Sequence, residues 1–88
     1  MSKSASGTIS ASNTTIGPVE VSPGEVVVYT VDYTSGTIAL QFATAKAGPF
    51  IAVEDGYTAD TAKHAIGPGW YQLVGSSTPS ADVSMVVR

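Results

Sequence analysis

Residues 25–45 read Glu-Val-Val-Val-Tyr-Thr-Val-Asp-Tyr-Thr-Ser-Gly-Thr-Ile-Ala-Leu-Gln-Phe-Ala-Thr-Ala, and this stretch decides the fold class. Val26 to Val31 is a β-branched and aromatic run, which suits a pleated, half-buried surface. Ile38, Leu40 and Phe42 then alternate with Ala39, Gln41 and Ala43. That is a period of two, with one apolar face and one small or polar face. Tyr33, Thr34, Ser35 and Gly36 between the two runs carry turn chemistry, so the stretch predicts one long β-hairpin.

Working outward, Ser22-Pro23-Gly24 ahead of the hairpin is a turn. Proline presets φ at the first central position and glycine tolerates positive φ at the next. Ile16 to Val21 alternates around Gly17-Pro18. A proline donates no ladder hydrogen bond, so this run predicts an edge strand. Met1 to Thr15 is Ser, Ala, Thr, Gly and Asn with a single Ile, too little apolar surface for a core. Residues 1–15 are expected to be a flexible or extended arm, ordered only where it pairs with something; the sharper alternative lays it across a neighbouring subunit as an added strand.

Downstream, Lys46-Ala47-Gly48-Pro49 breaks the chain and Phe50 to Val53 is a short strand. Glu54-Asp55-Gly56 turns it. Tyr57 to Ile66 reads as an irregular strand with Thr58, Thr61 and His64 outward. A helical turn through Ala59, Ala62 and Ala65 is the alternative, weakened by its short length. Gly67-Pro68-Gly69 is a second Pro-Gly turn, Trp70 to Val74 a strand, Gly75 to Ala81 a Ser/Thr/Pro loop and Asp82 to Arg88 the last strand. Strands every ~8–12 residues predict an all-β chain: a small antiparallel β-sandwich, jelly-roll-like or immunoglobulin-like, of about seven to eight short strands over residues 16–88.

Laying Pro23-Gly24 on Pro68-Gly69 superposes two similar halves and names an inward face: Val26, Val28, Ile38, Leu40, Phe42, Tyr71, Leu73, Val83, Met85 and Val87. The opposite face of the central strand, Val27, Tyr29, Val31 and Tyr33, is then apolar as well and needs a cover. A neighbouring subunit would make these four residues a self-association face. The chain's own second sheet, with the two faces reversed, and a small-molecule groove are the other covers.

The totals narrow the function. In 88 residues there are no cysteines and one histidine, 12% of residues are charged, and the formal net charge is -3. A chain this short buries only ~60–65% of the surface its unfolded form exposes. Disulfides are out, and one imidazole makes a transition-metal cage a poor expectation. That leaves partner subunits as the expected aid to stability. Lys3, Lys46, Lys63 and Arg88 are scattered and form no basic stripe for phosphates, so no nucleic-acid partner is expected. No apolar run approaches the ~20 residues of a membrane helix. The polar start Met1-Ser2-Lys3-Ser4 predicts no signal peptide and a cytosolic site of synthesis.

Catalytic constellations are thin. His64 has no nucleophile at motif spacing, and a surface histidine is the plain reading. Glu54, Asp55 and Asp60 lack the alternating oxygens of a calcium loop and read as an acidic turn. Gly67 to Gly69 is no phosphate loop, because proline removes a donor. No cofactor, metal or enzymatic activity is expected. Trp70 beside Tyr71 is either an exposed interface anchor or part of a sugar-stacking platform with Tyr57.

Taken together, Pro23 to Tyr33, the Ser35-Gly36-Thr37 link into Ile38 to Phe42, and Pro68-Gly69-Trp70-Tyr71-Gln72-Leu73-Val74 before a Val-rich end resemble small structural proteins of tailed bacteriophages, of the head decoration or cement type. The resemblance spans Ile16 to Arg88. Many such sequences carry Asp-Gly-Gly-Thr-Trp after the alternating strand, where this chain has Lys46-Ala47-Gly48-Pro49-Phe50. The resemblance implies a β-sandwich that self-associates, commonly as a homotrimer, on the major capsid protein of a virion assembled in the host cytoplasm. A carbohydrate-binding or adhesion module is the alternative function.

Overall fold

Every long run of alternating or β-branched residues in this chain forms strand, and none forms helix. The computed structural model describes residues 3–88; Met1 and Ser2, the first two residues of the expected arm, lie outside it. The strands are β1 (Ser4–Ile9), β2 (Thr15–Val21), β3 (Val26–Ala43), β4 (Ile51–Ala52), β5 (Thr61–Ile66) and β6 (Gly69–Val87), all antiparallel in one sheet.

The organising feature is the length of β3 and β6, at 18 and 19 residues. They pair with each other from Val27 opposite Val87 to Ala43 opposite Trp70. Each is flanked by two shorter strands in tandem. β1 and β2 run along the far edge of β6, and β5 and β4 along the far edge of β3. The chain therefore makes four passes, residues 4–21, 26–43, 51–66 and 69–87, in the sheet order first, fourth, second, third.

This ribbon is folded double across its middle. At the crease the β3–β6 register slips between Tyr33 and Ser35 and again between Ser35 and Thr37. Bulges of this kind bend a strand and sharpen its twist. Gly36, at φ +80°, fits where an added Cβ would lie 2.6 Å from Pro79 Cα. Layer 1 then comprises β5, the first half of β3, the second half of β6 and β1. Layer 2 comprises β2, the first half of β6, the second half of β3 and β4. The seven to eight short strands expected are met by six, because β3 and β6 each serve both layers.

The expected hairpin turn at Tyr33 to Gly36 is corrected accordingly: the chain continues as strand through a bend. The slipped register also corrects the inward face. An odd slip moves a strand's side chains to the other face, so the core takes Val27, Tyr29 and Val31 from one half of β3 but Ile38 and Leu40 from the other. β6 keeps one parity throughout, with Tyr71, Leu73, Val83, Met85 and Val87 buried as expected. Val28 is 37% exposed instead and Val26 is half-buried, whereas Phe42, also half-buried, packs against the core as expected.

The expected arm, from Ser4 on, is ordered by pairing within its own chain. From Ser4 the segment is strand β1, paired with Ala81–Val86 of its own chain, and Ile9 is fully buried. Asn13 and Ser10 close the bend between β1 and β2 with hydrogen bonds of 2.9 and 3.1 Å. Because each pass is folded double, both its ends lie at one end of the molecule, the open end, away from the crease. The turns at 22–25, 44–50 and 67–68 gather there.

Candidate interaction surface

The face expected to bind other copies lies inside the protomer. Val27, Tyr29 and Val31 are 0, 2 and 2% exposed. Tyr33 is half-buried at the crease, its hydroxyl donating to Gly36 O at 2.7 Å. The cover is the chain's own second layer. Tyr29 and Tyr57 share a hydroxyl hydrogen bond of 2.7 Å, with ring centroids 6.1 Å apart. Tyr57 also ties the 53–60 segment to layer 2 through backbone bonds with Ile38.

Around this pair sits a small polar network. Lys63 Nζ donates to Glu54 Oε2 at 2.9 Å and lies 5.4 Å from the Tyr57 ring centroid. Burial, then the Tyr29 hydroxyl and Glu54, push the Tyr57 phenol far above its ordinary range. Glu54 is held below the usual carboxylate range by the Tyr57 hydroxyl and then by Lys63. A second clamp lies at the open end. Glu25 accepts from the Ser22 backbone N–H at 2.8 Å and from Lys3 Nζ at 3.0 Å, in that order of influence, and its carboxyl is likewise held low.

The three rings proposed for a sugar platform part company. Trp70 is half-buried on the outer face of layer 2, between Ala43 and Glu20, with Lys46 Nζ 5.9 Å from its centroid. Tyr71, the next residue, points the other way into the sandwich and is 7% exposed. Tyr57 is in the core. Trp70 is thus only partly available as the exposed anchor. His64 is exposed on the outer face of layer 1, opposite Val28. Among the described residues, no three His, Cys, Asp or Glu side chains gather in metal-binding geometry.

What remains is a surface the sequence reading did not single out. At the open end the two layers are not sealed along the β4–β5 edge, and a groove of about 540 Å³ opens between them. Phe42 and Tyr71 form its floor, ring centroids 5.1 Å apart. Ile51 and Val53 stand on one wall and Ile66 and Pro68 on the other, and Thr44 adds a polar side chain. The Tyr71 hydroxyl donates across the floor to Ile66 O at 2.9 Å, so that polar tip is already paired. Ile51 is 69%, Ile66 67% and Val53 49% exposed, and together they make a contiguous apolar patch on a small protein. Patches of that kind mark interaction surfaces. The signal lay in Phe50-Ile51-Ala52-Val53, an apolar run with no alternation and no partner of its own length.

Family models, curated proteins and solved structures were compared with this chain, and none matches.

Proposed function

We propose that this protein is a non-enzymatic structural component of a virus particle, of the head decoration or cement type, that docks on major capsid protein through its open end. The observation that carries the reading is the groove and its rim of Ile51, Val53 and Ile66, exposed at one end of an otherwise well-covered sandwich. The outer face of layer 1 supports it by contrast: Thr30, Ser84 and Ser6 lie in one cross-strand row. Such a row suits solvent, and Val28 at 37% exposure is far better covered than Ile51 at 69% and Ile66 at 67%, so the apolar end is the surface that gains most from being covered. The sequence resemblance supplies the viral setting. Self-association into a homotrimer belongs to the same proposal, with its surface moved away from the buried Val27, Tyr29 and Val31.

The test is co-sedimentation of the purified chain with the shells it accompanies, together with light scattering of the free protein. Wild type is expected to pellet with the shells, and Ile66→Asp to remain in the supernatant with an unchanged fold. Equal pelleting of both would overturn the assignment of the open end. The carbohydrate-binding alternative now rests on Trp70 alone, because Tyr57 and Tyr71 belong to the core. Trp fluorescence unmoved by a glycan panel is the outcome expected.

A further inference from the structure

The groove lies beside a strand edge, and the two together specify how a partner binds. Edge strands offer unpaired N–H and C=O groups, which proteins usually blunt. β2 is blunted by Pro18. β1 presents outward groups at Ser4, Ser6 and Thr8, and the Asn13 side-chain amide caps the Thr8 carbonyl at 3.1 Å. β4 is only two residues long. β5 is different. Gly67 N–H donates to Glu25 O in register with the β3–β5 pairs, so Ala65, Lys63 and Thr61 bond to β3. Antiparallel pairs alternate, so Ala62, His64 and Ile66 turn their backbone groups away from β3. The Ile66 carbonyl takes the Tyr71 hydroxyl; among the described residues no bond caps the outward groups of Ala62 or His64.

The groove is lined by apolar side chains apart from the Thr44 hydroxyl, and its Tyr71 hydroxyl is already bonded to Ile66 O, so it offers little to a buried amide. An occupant must therefore bring apolar side chains to it and satisfy its own backbone elsewhere. A second copy meeting the same end is the competing occupant. The free backbone groups of Ala62 and His64, on the strand that brings Ile66 to the groove, favour an extended segment that can pair with them. We infer that the occupant is an extended, alternately apolar segment of another protein, which adds as a strand to β5 at Ala62 and His64 and drops side chains between Ile51 and Ile66. This rests on the docking role proposed for the open end and names the chemistry of the partner.

The experiment selects a displayed library of random ten-residue peptides on the immobilised full chain and measures the enriched peptides against three proteins. They are wild type, Ile66→Asp, and His64→Pro, which removes an outward N–H that the sheet does not use. Enriched peptides are expected to alternate β-branched or aromatic residues with polar ones, and to bind each variant at least tenfold more weakly. Far-UV circular dichroism and the melting temperature check that both variants are folded; if His64→Pro is not, a peptide N-methylated at alternate amides replaces it, with the same tenfold loss expected. Peptides of helical or proline-rich pattern, no enrichment on wild type over Ile66→Asp, or affinity untouched by loss of the His64 N–H would each overturn strand addition. Concentration-dependent dimers in ultracentrifugation that Ile66→Asp dissolves would overturn it in favour of a second copy. Failure here with Ile66-dependent pelleting intact leaves the shell-docking role standing by another geometry; loss of pelleting dependence alone removes that role and not the peptide site.

Discussion

Tyr57 holds the least regular part of the chain in place. Its hydroxyl and that of Tyr29 satisfy each other at 2.7 Å inside an otherwise apolar core. Removing the Tyr57 hydroxyl leaves that of Tyr29 buried without a partner, which costs about 1–3 kcal/mol, whereas the Tyr57 hydroxyl keeps Glu54 when Tyr29 loses its own. Tyr57→Phe is expected to lower stability in urea titrations by that amount, Tyr29→Phe by less, and the double variant by less than the sum. Leu73 is a contrasting case. It is fully buried with no polar function, and Leu73→Ala is expected to cost about 2–5 kcal/mol in the same assay. The sequence marked Leu73 as core by its alternation. It could not mark Tyr57, because nothing local distinguishes a buried tyrosine in an irregular segment from an exposed one.

At the scale of elements, the crease in β3 and β6 decides the architecture. Gly36 sits at φ +80° with Pro79 Cα against the position of its absent Cβ. An L-residue there meets both a left-handed penalty of about 1–2 kcal/mol and a clash, so Gly36→Ala is expected to lower the melting temperature. Across the crease, Ser77 and Thr78 adopt φ 59° and 55°, a left-handed conformation unfavourable to a β-branched side chain. Thr78→Gly is expected to raise stability by about 0.5–1 kcal/mol once the added freedom of the unfolded glycine is subtracted. Opposite signs for the two substitutions would verify that the ribbon is bent at this point. In the sequence, Tyr33 to Gly36 read as the end of a strand because turn residues and bulge residues are the same chemistry. Which of the two they make depends on whether the flanking runs pair with each other or with a third run.

For the whole molecule, pH dependence follows from the two clamps and the tyrosines. Glu25 and Glu54 have carboxyls held below the ordinary 4.5. A carboxylate with a lowered folded value contributes stability that is present above the unfolded value and is lost as pH falls through the folded one. Tyr57 and Tyr71 have phenols raised above 10.0, chiefly by burial. A raised group contributes stability that is complete below its unfolded value and is lost as pH rises past it. The melting temperature is therefore expected to be level between about pH 5 and 9, to fall below pH 4.5, and to fall above pH 10. Glu54→Gln is expected to soften the acid limb and Tyr57→Phe the alkaline limb, both read by thermal melts across buffers. Ile66→Asp, on the exposed rim, is expected to leave the fold intact in the same melts at neutral pH while abolishing the shell docking proposed for the open end.

Alternation and turn chemistry in the sequence alone determined that the chain is all-β, where most strands lie, and that β6 buries Tyr71, Leu73, Val83, Met85 and Val87. These are local facts, because a side chain's face follows from its neighbours two residues away. Which face of β3 is core, whether residues 4–9 pair within the chain, and where apolar surface stays uncovered were decided by the tertiary structure. The physical reason is the slipped register at the crease. It joins two halves of one strand with opposite parity, and no periodicity read along either half contains the slip.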